Sequence, residues 1–329
     1  SGKVQYNAQW IIKSDRYNPN DLGYLQRANE IQYNSTISYN QFTPTKNFLN
    51  YNYSLNAVYR RLYAPNVFND MQVTAEGFWL FKNFWDVSFS LGYLPDQHDY
   101  LVLGAPFDHY ARRPQYGFAQ LSGSTDSRKK LFYSYTFLLA DFFKNPEKDY
   151  FVIQMGLRYR FSDKFTLELN NRNEAETDYI VNAGEELNGD PIIGFVDFRD
   201  VTSVLSGIYN FTPRINLTLR ARHYWSKVTF NRFANVDNSG NALPRTYITN
   251  RDQNVNVFNA DAFFTWDFRL GSRLIVGYKN WLGPEESVDG LSYKKYFSNF
   301  GQLFKLRHGN EFSVRFIYFL DYNQLRKKK

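Results

Sequence analysis

In the stretch YLPDQHDYLVLGAPFDHYARR, residues 93–113, five side chains are of the kind that does acid–base work: Asp96, His98, Asp99, Asp108 and His109. An imidazole beside a carboxylate can take up and return a proton near neutral pH. The same pair can activate water for hydrolysis or hold a divalent cation. Either role needs the groups within hydrogen-bond reach, which closeness in a loop does not supply, so a solvated polar loop is the third reading. A second set is dominated by cations: Arg158, Arg160, Arg172, Arg220, Arg222 and Arg315, with Glu168, Asp261 and Asp267. Arginine rings on a channel wall favour anions. Arg–carboxylate pairs would instead fill and stiffen an interior, and both readings stand.

Other chemistry is scarce. The chain has no glycine-rich phosphate cradle, serine nucleophile elbow or His-x-Glu zinc motif. NVDNSGN, residues 235–241, lacks the spaced acids of a calcium loop and reads as a turn. Cysteine is absent, which excludes disulfides and thiolate metal sites. No catalytic, cofactor-binding or metal-binding residue is assigned; no enzyme activity and no cofactor are expected.

The elements that carry these residues read as strands. In PRINLTLRARHYWS, residues 213–226, Ile215, Leu217, Leu219, Ala221, His223 and Trp225 fall on one face, and Asn216, Thr218, Arg220, Arg222 and Tyr224 on the other. Fourteen such segments recur, the first at 2–14 and the last at 311–323. The ninth to eleventh lie at 164–174, 195–211 and 214–230. Apolar stripes run through them, such as Trp85, Val87, Phe89, Leu91 and Tyr93, or Phe312, Val314, Phe316, Tyr318, Leu320 and Tyr322. The opposite face takes the arginines above, along with Arg60, Glu76, Asp86, Lys279 and Asp321. His223, on the apolar register, is expected at an interface.

The links sort by parity. Those after even-numbered strands are short (KNF, SD, TPR), whereas long ones at 15–29, 95–113, 175–194, 231–251 and 283–310 follow odd-numbered strands. Soluble sheets have no reason to sort loops this way; transmembrane barrels do. Of the 329 residues 19% are aromatic, although mean hydropathy is −0.53. That combination suits strands facing lipid on one side and a polar interior on the other. No run of 18 apolar residues is present, which excludes a membrane helix and says nothing against a barrel. The net charge of +7 is scattered apart from the closing RKKK, and no nucleic-acid motif accompanies it. Anionic headgroups are the expected partner, not nucleic acid.

NFTPRINLTLRARHYWS, NVFNADAFFTWDFRLGSRLIVGYKN and NEFSVRFIYFLDYNQL resemble the C-terminal barrel of an uncharacterised Bacteroidota family. Its members join an N-terminal sandwich, like a family 9 carbohydrate-binding module, to an outer-membrane barrel. The likeness is clear over the last third and looser elsewhere. It implies an upstream domain that residues 1–329 do not include. The expectation is therefore one all-β domain, a transmembrane antiparallel barrel of about 14 strands with short periplasmic turns and long extracellular loops. Both termini would be periplasmic, in the outer membrane of a Bacteroidota-like bacterium. Its partners would be outer-membrane lipid, lipopolysaccharide and other envelope proteins. The expected role is a membrane anchor or a subunit of a larger outer-membrane complex; the alternative is a passive pore for small anions, with a rim hydrolase third.

Overall fold

The structure, a computed structural model, describes residues 2–17, 28–104, 108–143, 145, 148–185, 191–246, 251–282, 296–303 and 305–320. The strands are β1 (Val4–Lys13), β2 (Glu30–Gln41), β3 (Phe48–Arg61), β4 (Phe68–Phe81), β5 (Asp86–Leu94), β6 (Gln97–Asp99), β7 (Ala111–Arg113), β8 (Tyr116–Ser124) and β9 (Leu131–Asp141). They continue as β10 (Asp149–Arg160), β11 (Phe165–Glu185), β12 (Pro191–Thr212), β13 (Ile215–Val236), β14 (Ala242–Arg245), β15 (Gln253–Arg269), β16 (Ser272–Leu282) and β17 (His308–Ile317), with one short helix, α1 (Tyr296–Gln302), before β17. Fourteen of the strands pair antiparallel in sequence order, from β1 through β5, β8 to β13, β15 and β16 to β17. β14 pairs only with β13, and β6 with β7 forms a separate hairpin. Among the described residues, pairing stops at β1 on one side and β17 on the other. The fold is thus an all-β antiparallel meander, and closure of its two ends is not among the observed registers. No helix of the described residues is long and apolar enough to cross a membrane.

The register sorts the two faces as alternation requires. One row runs Leu157, Leu169, Leu205, Ala221, Ala260 across β10 to β15. The next row, on the opposite face, runs Arg158, Glu168, Ser206, Arg220, Asp261, Lys279, Glu311 across β10 to β17. The apolar face is uncovered over most strands: Trp10 is 64% exposed, Leu139 65% and Phe316 64%. Its aromatics pack on one another, as in Trp10 on Tyr33 with ring centres 5.5 Å apart, and Phe268 on Phe316 at 5.3 Å. Turns at one end are tight. Gly271, with φ of 74°, sits between β15 and β16 in a backbone conformation that other residues adopt only with strain.

The link expected at 175–194 is mostly strand. β11 and β12 run on past the positions where alternation fails, because a bulge at Glu176–Tyr179 shifts the register. Asp178 takes φ of 55° there, a region that aspartate tolerates better than most residues. β13 likewise extends to Val236 instead of ending near 230. These extensions, rather than the middle of the sheet, hold the buried apolar core. Ile180, Ile193, Phe195 and Ala234 pack with Ala111, and Val102 and Leu103 lie against them. The helix α1 was not foreseen at all.

Candidate functional site

The segment between β5 and β8 starts from the polar face and reaches across the long-loop end. His98 meets Phe68 of β4 edge-on at 5.3 Å. Ala111 packs on Ile180, Ile193 and Ala234 of β11, β12 and β13, and the Asn182 amide donates to the Val102 carbonyl at 2.9 Å. The β6–β7 hairpin is thereby pinned at both flanks. Beneath it lies a cavity of about 460 Å³ lined by Asn69, Asp70, Gln97, His98, Asp99, Arg113, Lys148, Glu176 and aromatic rings. A second cavity, of about 380 Å³, shares Pro114 and Lys148 with the first.

Each charged group here has an opposite one. Asp70 accepts from Arg60 at 2.6 Å, and Asp99 from Arg113 at 2.6 Å. Arg113 also donates to the Ile180 carbonyl and lies over the Tyr179 ring. Lys148, 3% exposed, sits 3.6 Å from Glu176, 12% exposed. Its ammonium donates to the Asp178 carbonyl at 2.9 Å, which the bulge turns toward it, and faces the Phe142 ring. Burial pushes the Lys148 ammonium below the ordinary lysine pKa and the Glu176 carboxyl above the ordinary glutamate one; their mutual attraction opposes both shifts without cancelling them. Burial also lowers the His98 pKa, helped by Arg112, so its ring is neutral at pH 7.

The geometry separates the acid–base candidates of the 93–113 stretch. Asp96 is bound by Arg112 at 2.5 Å and Asp99 by Arg113, while His98 stacks on Tyr110 with ring centres 4.0 Å apart. His98 and Asp99 line the first cavity and Asp96 the second. His109 pairs with Asp108 at 2.9 Å, with both side chains exposed. Among the described residues no three His, Asp or Glu gather as a metal site would need. NVDNSGN is a turn closed by the Asp237 carboxylate, which accepts from the backbone N–H of Ser239 and Asn241.

The expected wall charges occupy the polar face, four of them around one cavity and the rest apart. Arg158 and Arg160 reach down to the Ser127 and Arg128 carbonyls at the short-turn end. Arg172 binds Glu174 at 2.7 Å, and Asp267 binds Arg273 at 2.5 Å. Arg220, Arg222, Glu168 and Asp261 line a separate cavity of about 400 Å³, where Arg222 lies 3.7 Å from Asp261. Arg315 stands opposite Ile275, exposed on the last strand, and Asp321 and Tyr322 fall outside the described residues. Arg60, Glu76, Asp86 and Lys279 are likewise tied to local partners: Asp70, Asn56, Ser124 and Glu311 respectively.

His223 corrects a second expectation. Rather than facing an interface, it is buried under α1. Its Nε2 pairs with Asn256 at 2.7 Å and its Nδ1 with the Tyr296 hydroxyl, which also meets Ser203. Trp225 donates to Asn254 at 2.7 Å, and Asn254 and Asn256 both donate to Asn299 of α1.

Sequence reading missed Asn69, Asp70, Lys148 and Glu176 as cavity residues. Glu176 lay in a presumed loop and Lys148 in a link of intermediate length; the β10–β11 ladder, which sets Tyr150 opposite Glu176, brings them together. No curated protein matches the chain. The family described as Domain of unknown function (DUF5916) matches residues 1–329 in full, and the chain belongs to it.

Proposed function

We propose that this chain is an outer-membrane β-barrel, closed by pairing of β1 with β17, and that its mouth is occluded. In this reading it anchors a partner or forms a subunit of a larger outer-membrane complex. The observation that carries it is the apolar face, which stays exposed over most strands of the fourteen-strand meander. A soluble protein rarely leaves contiguous apolar patches much larger than a few hundred Å² uncovered, and open sheet edges would template aggregation. Lipid against the apolar face and closure of the edges remove both problems. The short turns and both termini would then be periplasmic.

Occlusion rests on the β6–β7 segment, which touches β4 on one flank and β13 on the other. The resemblance to a family that couples a sandwich to a barrel supports an anchoring role, with the sandwich-like module upstream. A passive anion pore is the second reading, favoured by Arg220 and Arg222 beside the open 400 Å³ cavity. The test is single-channel conductance in a planar bilayer. The occluded anchor gives silence from folded protein. Steady anion-selective current, lost when Arg220 and Arg222 become Ser, would replace it with the pore.

A further inference from the structure

The cavity beneath the β6–β7 hairpin has no role in an anchor, and its make-up is specific. Its volume of about 460 Å³ is within the range of small-molecule sites. Asp70, Asp99 and Glu176 are matched by Arg60, Arg113 and Lys148, so the cavity offers a ligand no net charge. An ion entering it would have to break a buried pair, which is costly. What remains unmatched is polar and neutral. Asn69, 7% exposed, carries an amide oxygen with no hydrogen-bond partner, and the buried Gln97 amide nitrogen faces the Tyr116 hydroxyl without a well-formed hydrogen bond. Buried polar atoms left so are rare in folded proteins and call for an explanation. A hydroxyl, at once donor and acceptor, is the group that answers an acceptor oxygen and a donor nitrogen together. The remaining wall is ring: Tyr116, Phe118, Phe142, Tyr150 and Tyr179. Such rings stack on the C–H face of a ligand.

We propose that this cavity binds a compact, uncharged, polyhydroxylated solute, with its hydroxyl edge toward Asn69 and Gln97 and its C–H face on the tyrosines. The proposal concerns the long-loop end alone and does not depend on whether the sheet closes in a membrane.

The experiment is saturation-transfer NMR on the full chain in an amine-oxide detergent, which has no sugar headgroup. The probes are glucose and myo-inositol, with inorganic phosphate and spermidine as charged comparisons. We expect transfer to the C–H protons of at least one neutral probe, no competition from phosphate or spermidine, and affinity at least tenfold weaker in Asn69→Leu. Glu168→Gln, in the separate arginine-lined cavity, should bind as the parent does. If Asn69→Leu loses the parent's strand circular dichroism, Gln97→Leu in the short hairpin takes its place. No transfer to either neutral probe would overturn the proposal. So would displacement by phosphate, which would make this an anion site, or binding that neither variant weakens.

Discussion

Lys148→Met is the sharpest test of how the long-loop end is held together. The substitution keeps most of the buried stem and removes the ammonium, leaving Glu176 without its partner at 3.6 Å and the Asp178 carbonyl without its donor. Breaking a buried pair from one side costs about 3–5 kcal/mol. Arg113 also acts on Glu176, which places this case at the low end, at about 3 kcal/mol. The cost depends on pH. Burial already raises the Glu176 pKa above its ordinary 4.5, so the folded state holds that proton more tightly than the unfolded one. Its contribution is therefore most favourable below pH 4.5 and falls as pH rises through the folded pKa. Without Lys148 the upward shift grows, and the variant should lose little at pH 4 and most at pH 8.

Denaturant unfolding of parent and variant in the same detergent, followed by circular dichroism at both pH values, measures this. Lys148→Met with Glu176→Leu removes both charges and should return to within about 1 kcal/mol of the parent, since apolar replacement of a buried pair is often neutral or better. An equal loss at pH 4 and pH 8, or a double variant no more stable than the single one, would refute the account. Lys148 would then be a packing residue whose charge is irrelevant.

Two further predictions concern the faces. In the membrane reading, Leu219→Arg, midway along the apolar stripe of β13 from Ile215 to His223, should lower the stability of the lipid-folded protein by about 2–4 kcal/mol, while Asn216→Arg on the opposite face of the same strand should change it little; urea titration in vesicles separates them. Asn299→Ala removes the side-chain acceptor of the buried Asn254 amide while leaving the backbone carbonyl that Asn256 binds, costs about 1–3 kcal/mol, and should speed hydrogen exchange over 296–302 selectively.

The strands were legible because one face of the sheet is apolar and the other polar along most of each strand. Leu157, Leu169 and Leu205 must lie on one face for the row to exist, and a one-residue slip would exchange them for Arg158, Glu168 and Ser206. Legibility ended at Glu176, where the bulge inserts residues that belong to neither stripe. Past it both faces are covered, and Ile192 and Ile193 are buried side by side, which no period-2 pattern allows. The candidate site failed for a related reason. His98 and Asp99 were visible as chemistry, but their partners are Phe68 of β4, Tyr110 just before β7, and Arg113 of β7. Those partners turned a suspected acid–base pair into arginine-bound carboxylates and a stacked ring. His223 was misplaced because α1, which covers it, is only seven residues long and carries no helical period of its own.

The His223 row also says where function is to be sought. On β13 the apolar stripe runs eight steps from Ile215 to His223, and on β10 the same eight from Tyr159 to Phe151. At about 3.3 Å per residue and a tilt near 40°, eight steps rise about 20 Å, close to the ~25 Å apolar band of an outer-membrane barrel. At the upper end of the β13 stripe the face turns polar, with His223 pairing with Asn256 and, in the same cross-strand row, Asn171 donating to Ser203. In the membrane reading, lipid must stop there, because buried amides and imidazole would find no partners in hydrocarbon. The strand extensions beyond the row then stand in water, which is why they build a core of their own from Ile180, Ile193 and Phe195. Below the row the wall has one requirement, an apolar exterior over a satisfied interior, and many sequences meet it. Above it, the bulge, the pinned hairpin and the Lys148–Glu176 pair are features that spanning a bilayer does not call for. In the membrane reading, that is the physical ground for seeking specific recognition at the long-loop mouth rather than along the wall arginines.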